Sequence, residues 1–135
     1  MWLALLLLLV TATSVLPLDE LPPQVLPPKS CAMFLWDRTS QRRIAMLTAE
    51  PGTLRIARGG VKTLPQAGGD GESVLGFRPH AAYGTGPDRI EVALTITAND
   101  AGVGGAVIRE GSMTVLLADG SALVTPVAGL IGCNR

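Results

Sequence analysis

The stretch Arg89-Ile-Glu-Val-Ala-Leu-Thr-Ile-Thr97 decides the class of fold. Ile90, Val92, Leu94 and Ile96 take every second position, with Arg89, Glu91, Ala93, Thr95 and Thr97 between them. Successive side chains of a strand point to opposite faces, so this alternation produces one apolar and one polar face. Ile90, Val92 and Ile96 are also β-branched, which suits a pleated surface better than a helix. The stretch reads as a strand with one face on a core and the other in water.

The same reading extends in both directions. Downstream, Ala106 to Arg109 follows the glycine-rich Gly102-Val-Gly-Gly105 and is expected to pair nearby. Met113 to Ala118 and Ala122 to Thr125 flank Asp119-Gly120, a dipeptide that predicts a two-residue type I′ hairpin because both residues tolerate positive φ. Pro126 has no N–H to give a ladder, so it predicts a break or a sheet edge before Val127 to Cys133. Upstream, Cys31 to Trp36 and Thr53 to Ala57 read as strands, the second turning at Arg58-Gly-Gly60. Arg43 to Thr48 reads as a strand, with a short helix capped by Ser40 and stopped before Pro51 as the alternative. Residues 66–72 and 80–87, rich in glycine, read as loops. Strand-like runs recur at intervals of roughly ten residues and no long helix competes with them. The predicted class is all-β, an antiparallel sandwich or barrel of about 7–8 short strands.

The chain ends place this domain. Met1 to Val10 contains an uninterrupted apolar run, shorter than the ~20 residues of a spanning helix and followed by Thr11-Ala12-Thr13-Ser14. Residues 1–14 therefore read as a signal peptide, and the expected location is periplasmic or extracellular. If the signal stays uncleaved, residues 2–18 are the expected membrane anchor, and the membrane is reached through that segment alone. Residues 15–30 contain five prolines in two Pro-Pro pairs and one single, which predicts an extended tether before a domain spanning 31–133. Two cysteines, Cys31 and Cys133, bracket that domain. In an oxidising compartment they predict one disulfide, and hence first and last strands that are neighbours or face each other across the core. The outline of an export signal, a short β-domain and a disulfide between its ends is similar to that of small envelope domains, periplasmic lysozyme and protease inhibitors among them. Such an outline implies no function by itself.

Net charge is zero, yet Lys29 to Lys62 holds seven basic residues and two acids, while four basic and seven acidic residues follow. The basic excess makes Arg38, Arg42, Arg43, Arg55 and Arg58 the candidate contacts for an anionic partner, either an envelope protein or an anionic surface component. Nucleic acid is not expected, because neither a strongly basic balance nor aromatics interleaved with arginine is present. His80 is the only histidine and no acidic run has calcium-loop spacing, so no metal or other cofactor is expected. Phe34 and Trp36 share a strand face and read as core anchors. Arg78, His80 and Tyr83, in a glycine-rich loop, are further candidate contacts, although a loop tyrosine packing over the core edge is the favoured reading of Tyr83.

Catalysis has little to stand on. Ser73 misses the G-x-S-x-G placement by one residue, and a triad of Ser73, His80 and Asp88 is only a sequence juxtaposition. The expected function is an exported, non-catalytic binding domain of the cell envelope. The alternatives are a small hydrolase or enzyme inhibitor using residues 78–88, or a membrane-anchored structural protein.

Overall fold

The computed structural model describes residues 16–98, 105–117 and 119–134. The expected signal peptide, residues 1–14, lies outside them. Among the described residues, eight strands succeed one another: β1 (Cys31–Asp37), β2 (Arg43–Ala49), β3 (Gly52–Ala57), β4 (Val61–Asp70), β5 (His80–Tyr83), β6 (Ile90–Ala98), β7 (Gly105–Leu116) and β8 (Ala122–Cys133). A single turn of 3₁₀ helix, Gly86–Asp88, precedes β6. Each strand pairs antiparallel with its neighbours in sequence, and β8 returns to β1 to close a barrel. Of the two architectures the sequence allowed, the barrel is the one formed, and closure removes the free strand edges a sandwich would keep.

The decisive stretch is β6. Ile90, Val92 and Leu94 are buried and the residues between them are exposed. They meet Met33, Leu35, Leu47, Leu54, Met113, Val115 and Val127 in an interior filled by side chains. The terminal strands are neighbours, one of the two expected arrangements: Cys31 and Cys133 face each other in the β1–β8 register and are joined by a disulfide. Arg43 to Thr48 is a strand and not a helix.

Several local expectations give way. Gln66 to Asp70 is not loop but the second half of β4, and His80 to Tyr83 is β5. Glycine composition suggested loops there, but Gln66 to Asp70 pairs with β5, and β5 pairs on its other side with β6. Ala106 to Arg109 belongs to the same strand as Met113 to Leu116, bent by a register shift between Ile108 and Gly111. The Asp119-Gly120 connection is not a two-residue turn. The Leu117 N–H donates to the Ser121 carbonyl and the Gly120 N–H to the Leu117 carbonyl, leaving three residues in the loop with Gly120 at φ 87°. That is the three-residue hairpin form, whose last loop residue takes the left-handed conformation.

Pro126 does not interrupt β8, which stays paired with β7 through Ser112, but the ladder to β1 stops beside it at Val127. The Pro126 carbonyl accepts from the Arg38 N–H at 3.0 Å, which turns its backbone polar groups to the β1 side. There β1 has already ended, its last pair being Asp37 with Val127. The missing N–H removes the bond that would return to the Arg38 carbonyl, and the β1–β8 ladder ends there. Gly129, two residues on, is needed for closure: a Cβ there would overlap the Phe34 carbonyl oxygen and stand 2.7 Å from Leu35 Cδ2.

Residues 16–27 are extended, as their prolines require, and turn into β1 at 28–30, but they do not stand free of the barrel. The Asp19 N–H donates to the Ala57 carbonyl and the Leu21 N–H to the Arg43 carbonyl, both at 2.8 Å. Leu18 enters the main core. Leu21 is fully buried (0 % exposed) on the outside of the wall, in a second small core with Ala32, Met46 and Ala57. A free spacer would leave both leucines in water, so apolar burial outweighs the entropy of a loose tether. We refer to this segment as the strap. Among the described residues no helix is long and apolar enough to cross a membrane.

Candidate functional site

Where β1 faces determines the site. Met33, Leu35 and Asp37 turn into the barrel, and Phe34 and Trp36 turn out, each only partly covered. The expectation that these rings anchor the core is corrected: they do share one face, but it is the outer one. Both alternating sets of β1 are apolar, so periodicity alone does not say which faces in. The strap resolves the ambiguity by covering Ala32 and part of Phe34 from outside.

A bulge then brings arginine alongside. Leu35 pairs with Ala45 but Trp36 pairs with Arg43, so Ile44 is an extra residue on β2. The bulge lets Ile44 and Ala45 both join the core and leaves Arg43 on the outside with Trp36. On the other flank Phe34 pairs with Leu130 and Trp36 with Ala128. The result is an open groove of about 680 Å³ whose floor is Phe34, Trp36, Ala128 and Leu130, with Arg38, Gln41 and Arg43 at one end and Gln24 of the strap at the side.

No carboxylate lines this groove. Among the described residues the ion pairs lie elsewhere: Arg58 with Asp88 at 4.0 Å, His80 with Asp70 at 3.0 Å and Arg89 with Glu91 at 3.0 Å. The nearest acid in sequence, Asp37, is buried and accepts from the Thr39 N–H (2.9 Å), the Ser40 hydroxyl (3.1 Å) and the Thr125 hydroxyl (3.3 Å). Its charge is thus directed into the β1–β2 turn and β8. Arg43 is steadied by its Nε donating to the Leu21 carbonyl at 3.4 Å.

The five candidate arginines divide by task. Arg38 and Arg43 line the groove. Arg55 donates to Gln24 Oε1 at 2.7 Å and Arg58 to the Pro17 carbonyl at 3.3 Å, so with Arg43 they fasten the strap. Arg42 sits apart, in a small depression of about 210 Å³ with Asp37 and Ser40. The remaining candidates lie on other elements. Arg78 is exposed before β5, and His80 is exposed with Nδ1 against Asp70 Oδ1. Tyr83 is not on a loop surface: it points inward (3 % exposed), and burial pushes its phenol up to about 12.

The juxtaposition of Ser73, His80 and Asp88 is not assembled. His80 begins β5 and Asp88 follows its far end, where it faces Arg58. A second depression of about 470 Å³, over β4–β7, holds Asp70, His80, Arg89 and Glu91. Its acids already have partners, Glu91 in Arg89 and Asp70 in the His80 ring. The β1–β8 groove differs in offering flat apolar surface beside two guanidinium groups without acids. Its lining residues put no nucleophile beside a base. No family model, curated protein or solved structure matches the chain.

Sequence reasoning missed Phe34, Trp36, Gln24, Gln41, Ala128 and Leu130 as site residues. One signal was available: Phe34 and Trp36 lie directly before the basic stretch that opens at Arg38.

Proposed function

We propose that this protein is an exported, non-catalytic binding domain that holds an anionic partner, an envelope protein or an anionic surface component, in the β1–β8 groove. The observation that carries this reading is the placement of Arg38 and Arg43, neither paired with an acid, beside the exposed edges of Phe34 and Trp36. The disulfide supports export, because such bonds persist in oxidising compartments. The apolar run at the N-terminus supports it independently.

Trp36 provides the test, since the other tryptophan is Trp2. Full-length chain carrying Trp2→Phe has its one indole in the groove. Polyglutamate, oligogalacturonate and anionic vesicles are titrated in turn at low salt while Trp36 emission is followed. At least one of them gives a saturable change, and Arg38→Ala with Arg43→Ala weakens it tenfold or more, since hydrogen bonds to charged groups contribute about 1.5–3 kcal/mol each. Arg89→Ala, on the far wall, leaves it unaltered. A flat response to all three anions contradicts the proposal.

A further inference from the structure

The interior is packed and the acids of the depression over β4–β7 already have partners, so the groove is where a ligand's chemistry can be read further. We infer that its occupant is an extended polypeptide segment with an apolar side chain on Phe34 and Leu130 and a carboxylate at Arg38 and Arg43. This inference rests on the binding function proposed above and specifies its ligand.

The groove is polarised along β1. Its apolar end is Phe34 beside Leu130, and the row continues in direct register past the groove to Val107 on β7. Val107 and Leu130 are 40 % and 43 % exposed, a cost that a covering partner would relieve. Its other end carries the two guanidinium groups. Four residues of extended chain separate Phe34 from Arg38, about 13 Å at strand rise. A ligand bridging both ends is therefore elongated and amphipathic, apolar at one end and anionic at the other. An extended peptide covers that distance with about four residues.

Chemistry separates a peptide from the other anions. A sugar would find polar partners only in Gln24, Gln41 and the two arginines, leaving Leu130 uncovered. A bilayer is flat, whereas Gln24 on the strap and Gln41 in the β1–β2 turn wall the groove at its side and end. Gln41 makes no side-chain hydrogen bond among the described residues, so its amide is free to donate to and accept from a peptide backbone. The carboxylate comes from an acidic side chain or from the end of a chain; both have the same fork of acceptors for arginine.

The test uses the full-length Trp2→Phe chain and a hexapeptide library randomised at every position, prepared with a free C-terminal carboxylate and again with a C-terminal amide. Selected peptides are expected to place Leu, Ile, Phe or Met about four residues from a carboxylate. Enrichment only in the free-acid library assigns that carboxylate to a chain end; enrichment of Asp or Glu in both assigns it to a side chain. Arg38→Ala is expected to weaken selected peptides at least tenfold. Leu130→Ser, at an exposed position, weakens them several-fold while leaving the fold intact. Peptides without such a carboxylate binding equally well overturn the inference. So does Arg-dependent binding of oligogalacturonate with no peptide selected, although the broader function then stands. Failure of every anion overturns both.

Discussion

Trp36 and Tyr83 show how position decides the use of an aromatic ring. Trp36 stands on the outer face of β1 because the residues on either side of it, Leu35 and Asp37, both point inward. Tyr83 pairs with Ile90 on the inward face of β5 and loses its water. Burial disfavours the phenolate, so its pKa of about 12 stands above the ordinary 10.0. The unfolded chain then releases this proton at lower pH than the folded one. Stability from this source is intact below pH 10 and declines through the interval up to 12, by about 2–3 kcal/mol in all. Tyr83 is the one tyrosine, so an ultraviolet phenolate titration of folded protein reads it directly. A midpoint near 10 would contradict its burial. Gly129 gives a second prediction at this scale: Gly129→Ala drives a methyl into the Phe34 carbonyl and is expected to cost about 1–3 kcal/mol in urea unfolding. Neither role is legible in a sequence, because a tyrosine in Ala-Ala-Tyr-Gly carries no mark of inside or outside. Asp119, in contrast, behaves as turn chemistry leads one to expect. The Ser121 hydroxyl and N–H both donate to its carboxylate and hold its pKa below the usual value.

At the scale of elements, a strand with one apolar set was readable with its orientation, one with two apolar sets was readable without it, and a segment with none was missed. β6 alternates cleanly, and the structure follows it residue by residue. In β1 both sets are apolar, so the strand was legible and its orientation was not. Most of β4 is exposed, and its second half, Gln66 to Asp70, presents no core face at all. It is a strand because β3 and β5 pair with successive parts of it. The strap is the other element whose conformation was readable and whose contacts were not: prolines dictate extension, but nothing local in Leu18 or Leu21 names Ala57 and Arg43 as partners. Leu21→Ala empties the second core and is expected to cost about 2–5 kcal/mol, measured by denaturant midpoint. Because the Leu21 carbonyl also holds Arg43, the same change is expected to weaken anion binding severalfold even in protein that is fully folded. Unaltered stability would show that the strap does not belong to the folded unit.

For the molecule as a whole, closure follows from pairing β1 with β8, and the disulfide lies on that seam. The cysteines at the two ends of the domain made the closeness of these strands legible before any strand order was known. Crosslinking residues 102 apart restricts the unfolded chain strongly. Replacing both cysteines with serine is expected to lower stability by up to about 4–5 kcal/mol. A loss near zero would mean that β1 and β8 hold together without the link. The basic excess of the first half was equally visible, but its division was not: part of it fastens the strap, and Arg38 and Arg43 are left facing a groove.

The central claim is that this groove is the binding surface. Amide and indole chemical shifts of isotope-labelled full-length protein, recorded with and without polyglutamate at low salt, test it most directly. The predicted result is a set of saturable shifts centred on Phe34, Trp36, Arg38, Gln41, Arg43 and Leu130, with the Trp36 indole N–H among the largest. Shifts centred instead on Asp70, His80, Arg89 and Glu91, or no shifts at all, would contradict it.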